Sequence, residues 1–145
     1  MFQRILVPID FSDCAIRALK LAVELARTSS GHVTLLHVGV LALDVLPGIE
    51  PGAAIGPLST QVGDSMRKEL DQALHKIARD EMPAGLSHDV RTREGYPPET
   101  IAEEAKGFDL VVMGTHGRTG LKRVLLGSVT DRVLRLSTVP VLVCH

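Results

Sequence analysis

The chain has 145 residues, 45% of them hydrophobic and 23% charged, with a formal net charge of −1. That is one domain's length with enough apolar material for a core, and it excludes a disordered chain. The near-zero charge and the scarcity of aromatics, with no Trp, one Tyr and three Phe, exclude a general nucleic-acid binder and a base-stacking platform for single strands.

Arg4 to Ile9 (RILVPI) is a short apolar run that predicts a buried strand, with pairing expected to stop near Pro8. Asp10 follows at its C-terminal end. Ser12 or Asp13 then caps a helix to about Arg27, with Ile16, Leu19, Val23 and Ala26 on one face. His32 to Val38 (HVTLLHV) predicts a second buried strand. From Gly39 to about Thr60 no periodicity survives, and three prolines and three glycines fall between Pro47 and Pro57. This stretch reads as a long mobile loop, either a flap over a site or a tolerated insertion.

Gln61 to Glu81 is expected to be helical, with Met66, Leu70, Leu74 and Ile77 as its buried stripe and Pro83 and Gly85 ending it. Leu86 to Arg93 alternates weakly and carries charges, as an edge strand does. Pro97 and Pro98 open a short helix through Ala105. A strand Phe108 to Met113, a glycine-rich basic loop, a helix from Ser128 to about Ser137 and a last strand Val141 to Cys144 complete the chain.

The order βαβαβαβαβ, with strands apolar throughout, predicts one α/β domain over residues 1–145: an open twisted five-stranded parallel sheet with helices on both faces. In such a sheet ligands bind beyond the strand C-termini, where the strand order reverses. For order 3-2-1-4-5 the reversal lies between the strands ended by Asp10 and by Gly114.

The stretch after the fourth strand supplies the chemistry. Gly114, Gly117 and Gly127 leave room for backbone N–H groups to approach an anion, and the helix opened by Ser128 adds free donors and a positive dipole end. The pattern is Gly114-x2-Gly117-x9-Gly127-Ser128. It contains no GxxxxGK[ST], and the first βα turn, Asp10 to Asp13, lacks the glycines of a dinucleotide fingerprint.

With VPID at Val7 to Asp10, LLHV at Leu35 to Val38, GTHGRTGLKRVLLGSVTDRVLR from Gly114 and VPVLVC at Val139 to Cys144, the chain resembles the universal stress protein family in its ATP-binding branch. The resemblance covers essentially the whole chain. It implies strand order 3-2-1-4-5 and ATP at the switch point. Pro8, Ile9 and Asp10 would lie by the adenosine, with the Asp10 carboxylate on the ribose. Val38 would offer backbone groups to the adenine edge, and Met113 would pack near the base. Gly114, Gly117 and Gly127 would approach the phosphates, with Ser128, Val129 and Thr130 binding them through N–H and hydroxyl groups. Phosphates would supply much of the shell of a bridging Mg2+ or Mn2+, with no protein side chain as metal ligand. A homodimer through Val141 to Cys144 and a further protein partner are implied, with a switch driven by ATP as the function. The alternative is a slow ATPase or phosphotransferase at the same site.

Blander readings stand beside these. Ser128-x-x-Asp131 also reads as a capping box. Asp10 also reads as a helix cap, with the ligand role preferred because Ser12 and Asp13 already serve as caps. His116 and Arg118 lie inside the glycine loop. His116 is the one candidate for a catalytic group, while Arg118 and Lys122 are placed to close over phosphates; Arg132 and Arg135 read as a solvated face. His37 reads as a core or crevice histidine. No apolar stretch reaches membrane-spanning length, and no leader-like apolar region follows Met1. Cys14 and Cys144 stand at opposite ends without CxxC spacing, which is expected of a reduced, cytoplasmic protein without disulfides; Cys14, in the first turn of a helix, reads as a small packing residue in preference to a redox-sensing thiol.

Overall fold

The computed structural model describes residues 2–39, 57–115 and 126–145, with backbone only for 57–62. Its elements are β1 (Arg4–Pro8), α1 (Asp13–Ser29), β2 (His32–Gly39), α2 (Pro57–Glu81), β3 (Ser87–Glu94), α3 (Pro97–Ala105), β4 (Leu110–Gly114), α4 (Ser128–Leu136) and β5 (Val141–Cys144). All five strands run parallel, as the alternation of elements predicted, in the order β3-β2-β1-β4-β5 that the resemblance implied.

The period-2 alternation of β1 divides the core. Ile5 and Val7 point to the face covered by α1 and α2, where they meet Leu19, Leu74 and Val33. Leu6 points to the face of α3 and α4, where it meets Leu36, Ile101, Val111 and Val133. Burial on both faces is why these strands are continuously apolar. At about 25 cal/mol per Å2 of apolar surface, each fully buried Leu or Ile here contributes about 2 kcal/mol.

The helix starting after Ser12 is capped as expected: Ser12 Oγ accepts the Ala15 N–H at 3.2 Å. Its core face runs Ala15, Ala18, Leu19, Ala22, Val23 and Ala26, one position off the expected stripe at Ile16, which is only half-buried. Small alanines on that face let α1 pack closely on the sheet.

Several boundaries differ from expectation. α2 begins at Pro57 and β2 runs through Gly39, so the non-periodic stretch has structured ends; residues 40–56 lie outside the described residues. Met66 is 51% exposed rather than buried; among the described side chains of α2, Leu74 and Ala78 are buried in the core and Ile77 packs against it. A 25-residue helix is about 37 Å long at 1.5 Å per residue, whereas an eight-residue strand spans about 26 Å. The N-terminal half of α2 therefore overruns the sheet. β4 starts at Leu110, with Phe108 buried just before it under the Arg91 guanidinium, 5.5 Å from the ring centroid.

The start of α4 also corrects the sequence reading. Its N-cap is Gly127, at φ −60° and ψ 148°, with no side-chain cap bond. Ser128 is therefore the first helical residue, and Asp131 turns away to accept from Arg135 Nε at 3.0 Å. The capping box is not formed, because a box needs its Ser at the cap position.

A crevice between β1 and β4 at the N-terminus of α4

The strand order reverses between β1 and β4, and their C-terminal ends open a crevice of about 310 Å3 there. That is the low end of the size range of small-molecule sites, roughly 300–1,000 Å3. Pro8, Ile9 and Asp10 line it from β1, Leu36, His37 and Val38 from β2, and Met113 and Gly114 from β4. Gly127, Ser128, Val129 and Thr130 close it from α4, and Pro97 and Ile101 from α3. Ten of the thirteen residues expected at the nucleotide are thus brought together. The other three, His116, Gly117 and Arg118, lie outside the described residues, as does Lys122.

Asp10 stands where β1 leaves the sheet. Its Oδ1 accepts the Ser12 N–H at 3.0 Å and the Ser12 hydroxyl at 2.5 Å. Between them Phe11 adopts φ 65°, a left-handed conformation that costs a non-glycine residue free energy. This turn lets the chain pass from strand to helix in four residues while holding the carboxylate at the crevice. Asp10 therefore braces the cap residue, Ser12, without capping the helix itself, and its carboxylate lines the crevice. His37 is tied to the same turn: its Nδ1 donates to the Ile9 carbonyl at 2.8 Å, and its ring lies 4.8 Å from that of Phe11.

Val38 gains its role from strand alternation. The Ile9 N–H donates to Leu36 O at 2.8 Å, so the peptide groups of Leu36 face β1. Two residues on, those of Val38 face the same side, where β1 has already ended at Pro8. The next residue, Gly39, faces the other way: its O accepts the Gly95 N–H at 3.1 Å on the β3 side. The backbone N–H and C=O of Val38 are thereby presented to the crevice.

At the far wall, Gly127 N–H donates to Thr115 O at 2.7 Å, and the first intrahelical bond is Asp131 N–H to Gly127 O at 2.9 Å. The N–H groups of Ser128, Val129 and Thr130 precede that bond, so they are the free donors of a helix start, reinforced by its dipole. Thr130 is buried, and its hydroxyl donates to Gly114 O at 2.8 Å. Thr130 thus offers an anion its backbone N–H, the hydroxyl proton being engaged with β4. Arg132 and Arg135 project to solvent as expected; Arg132 Nε donates to Glu99 at 2.8 Å and links α4 to α3, an exposed pair worth at most about 1 kcal/mol.

Gly114 lines the crevice and also has a neighbour that was not expected. A Cβ there would lie 2.7 Å from the Cys14 Cβ and 2.9 Å from its carbonyl carbon. The absent side chain admits α1 against the sheet, while the Gly114 carbonyl faces Thr130. Ser12, Ala15, Leu36, Pro97 and Ile101 were not anticipated. Pro97 and Ile101 arrive from a helix some sixty residues distant from β2 in sequence, and no local pattern announces that approach.

The profile of the Universal stress protein family matches residues 1–145. The chain belongs to the universal stress protein family. Universal stress protein YxiE of Bacillus subtilis is 37% identical over 150 residues, covering 99% of both chains. The solved structure of MJ0577, a universal stress protein of Methanocaldococcus jannaschii, superposes with a TM-score of 0.83 at 31% identity, covering 99% of this chain and 95% of that one. A universal stress protein solved in complex with cAMP shares the fold, with a TM-score of 0.67 at 23% identity over 99% of this chain and 97% of that one. Among the described residues of this universal stress protein, no cluster of three or more His, Cys, Asp or Glu gathers to hold a metal ion, and no helix is long and apolar enough to cross a membrane.

Proposed function

We propose that this universal stress protein is a cytoplasmic, single-domain ATP-binding regulator whose surface changes with nucleotide occupancy. The observation that carries the reading is the pairing of the Asp10 carboxylate with the free N–H groups of α4 across one crevice with apolar walls. Asp10 accepts ribose hydroxyls, as only an acceptor-rich group can, through the oxygen that Ser12 leaves open. The Val38 peptide meets the adenine edge, with Ile101 and Met113 against the ring. Ser128, Val129 and Thr130 N–H groups hold phosphate, joined by Gly117, Arg118 and His116 of the glycine loop. Mg2+ or Mn2+ bridges the phosphates and takes its remaining ligands from water.

Binding is favoured over hydrolysis. Asp10 is the sole carboxylate among the described lining residues, and its bonds to Ser12 orient it away from the task of activating water. The homodimer forms through β5, which pairs only with β4 among the described strands and presents Leu142 at 37% exposure. A second protein partner reads the nucleotide state.

Titration calorimetry with MgATP, with chromatography of any nucleotide released on denaturation, tests this. A single site per chain is expected, with Asp10→Asn weakening it by roughly tenfold or more, as loss of a hydrogen bond to a charged group does. No adenine nucleotide released and no titratable heat would overturn the reading.

A further inference from the structure

The two cysteines, 130 positions apart in the chain, meet on either side of Gly114. Cys14 packs on it from α1, its Cβ 2.7 Å from where a Gly114 Cβ would stand. Cys144 is the strand partner of Gly114 on β5. Register partners in adjacent strands project to the same face about 4.8 Å apart, and the Cys144 side chain packs into the cluster on the α1 side. The two Cβ atoms therefore lie within roughly 8 Å of each other, and Gly114 has no side chain to stand between them. Both residues are half-buried, so small oxidants reach them.

Their surroundings are unequal. Arg17 Nη2 donates to Cys14 Sγ at 2.9 Å, and Arg17 Nε donates to His145 O at 3.1 Å. One guanidinium thus holds the Cys14 sulfur and the backbone beside Cys144. A cation donating to sulfur, in the first turn of a helix, is the setting in which a thiol acts as a nucleophile. Cys144 differs: burial pushes its thiol up, Cys14 adds to this, and Arg17 opposes it. Its Sγ donates to Met113 O at 3.6 Å. Burial therefore disfavours the Cys144 thiolate.

We propose that Cys14 and Cys144 form a peroxide-reactive dithiol that closes to an intramolecular disulfide. The Cys14 thiolate attacks one oxygen of hydrogen peroxide. An S–O bond forms, the O–O bond breaks, and hydroxide leaves and takes a proton to become water. The sulfur is oxidised to a sulfenic acid. The Cys144 sulfur then attacks the Cys14 sulfur. The S–S bond forms as the S–O bond breaks, and the hydroxyl leaves as water with the Cys144 proton. A disulfide needs Cβ atoms about 3.5–4.5 Å apart, so closure draws the end of β5 toward α1. Among the described strands β5 is bonded to β4 alone, so a shift of its end disturbs a single ladder within the chain. The end of β5 is coupled to the crevice: Cys144 O accepts the Thr115 N–H, and Thr115 O accepts the Gly127 N–H.

The full-length reduced protein is treated with stoichiometric hydrogen peroxide, then alkylated and digested without reductant. The expected result is one chain lighter by two hydrogens, with a single peptide pair joining Cys14 to Cys144. In Cys144→Ser the reaction stops at a dimedone-trappable sulfenic acid on Cys14, and in Cys14→Ser residue 144 stays reduced. Arg17→Ala slows oxidation by roughly tenfold, and Arg17→Lys recovers part of the rate. The wild-type map decides the linkage without reference to how any variant folds. Two free thiols after treatment, a disulfide joining two chains, or first oxidation at Cys144 overturns the proposal, and an unchanged rate in Arg17→Ala overturns the role of the guanidinium.

Discussion

Gly114 has no room for a side chain: a Cβ placed there stands 2.7 Å from the Cβ of Cys14 and 3.0 Å from its carbonyl oxygen. The backbone of α1, not a ligand, fills the space a side chain would take. Gly114→Ala is therefore expected to lower stability by about 1–3 kcal/mol through overpacking, read as a lower urea midpoint with unchanged slope. A wild-type midpoint would show that α1 can move away without cost. Gly127, at φ −60°, is open to any residue, so Gly127→Val is the cleaner probe of the phosphate cradle. Its ATP affinity should fall roughly tenfold as N–H contacts to phosphate lengthen.

Thr130 joins α4 to β4 through its hydroxyl on Gly114 O. Thr130→Val keeps the shape and removes the donor, leaving a carbonyl at a buried position without that bond. A loss of about 1–3 kcal/mol is expected in thermal or urea unfolding. ATP affinity should stay within about twofold, because the N–H assigned to phosphate survives the substitution. A large affinity loss at wild-type stability would put the hydroxyl itself on the ligand.

Asp109 fastens the start of β4 to the start of β1. Its carboxylate accepts the Arg4 N–H at 2.8 Å, the Arg4 guanidinium at 3.1 Å and the Gln3 N–H at 3.1 Å. Led by the Arg4 backbone bond, these hold its carboxyl below the ordinary value of 3.8. A group with a depressed folded value contributes stability above 3.8, and that contribution disappears as pH falls through the lower folded value. Between about pH 5 and about pH 2 the wild-type urea midpoint should therefore fall more steeply than that of Asp109→Asn. Parallel curves would mean the carboxylate is equally well solvated when unfolded.

Leu142 lies on the edge strand β5 at 37% exposure. If copies of the chain pair there, Leu142→Asp buries an unpaired charge at the seam and should yield monomer by sedimentation velocity where the wild type is a dimer. A dimer that survives this change uses another surface.

What was legible in the sequence was set by local physics. Strand and helix follow from the period of the apolar residues. The limits of α3 and β5, the cap at Ser12 and the edge character of β3 follow from residue types next to one another. The parallel sheet followed because strands alternating with helices have few other ways to be covered, whereas the order 3-2-1-4-5 came from the family resemblance, and the crevice from that order. The residues that the resemblance placed around it within the described chain all line it, since each sits at the end of an element.

What was not legible depends on contacts between distant segments. Periodicity marks the apolar face of α2 but not how far that helix overruns the sheet, so Met66 read as core and is exposed. Spacing marks Gly114 as a glycine in a cradle, whereas the packing of α1 explains why it is glycine. Ser128 and Asp131 have the spacing of a cap, yet backbone torsion places the cap at Gly127. The sequence by itself determined that the central apolar strands of a parallel sheet would bury both faces, because burial period is a local property. Only the tertiary structure decided that Cys14 and Cys144 would face each other across Gly114, because a sheet joins residues by register, without regard to their distance along the chain.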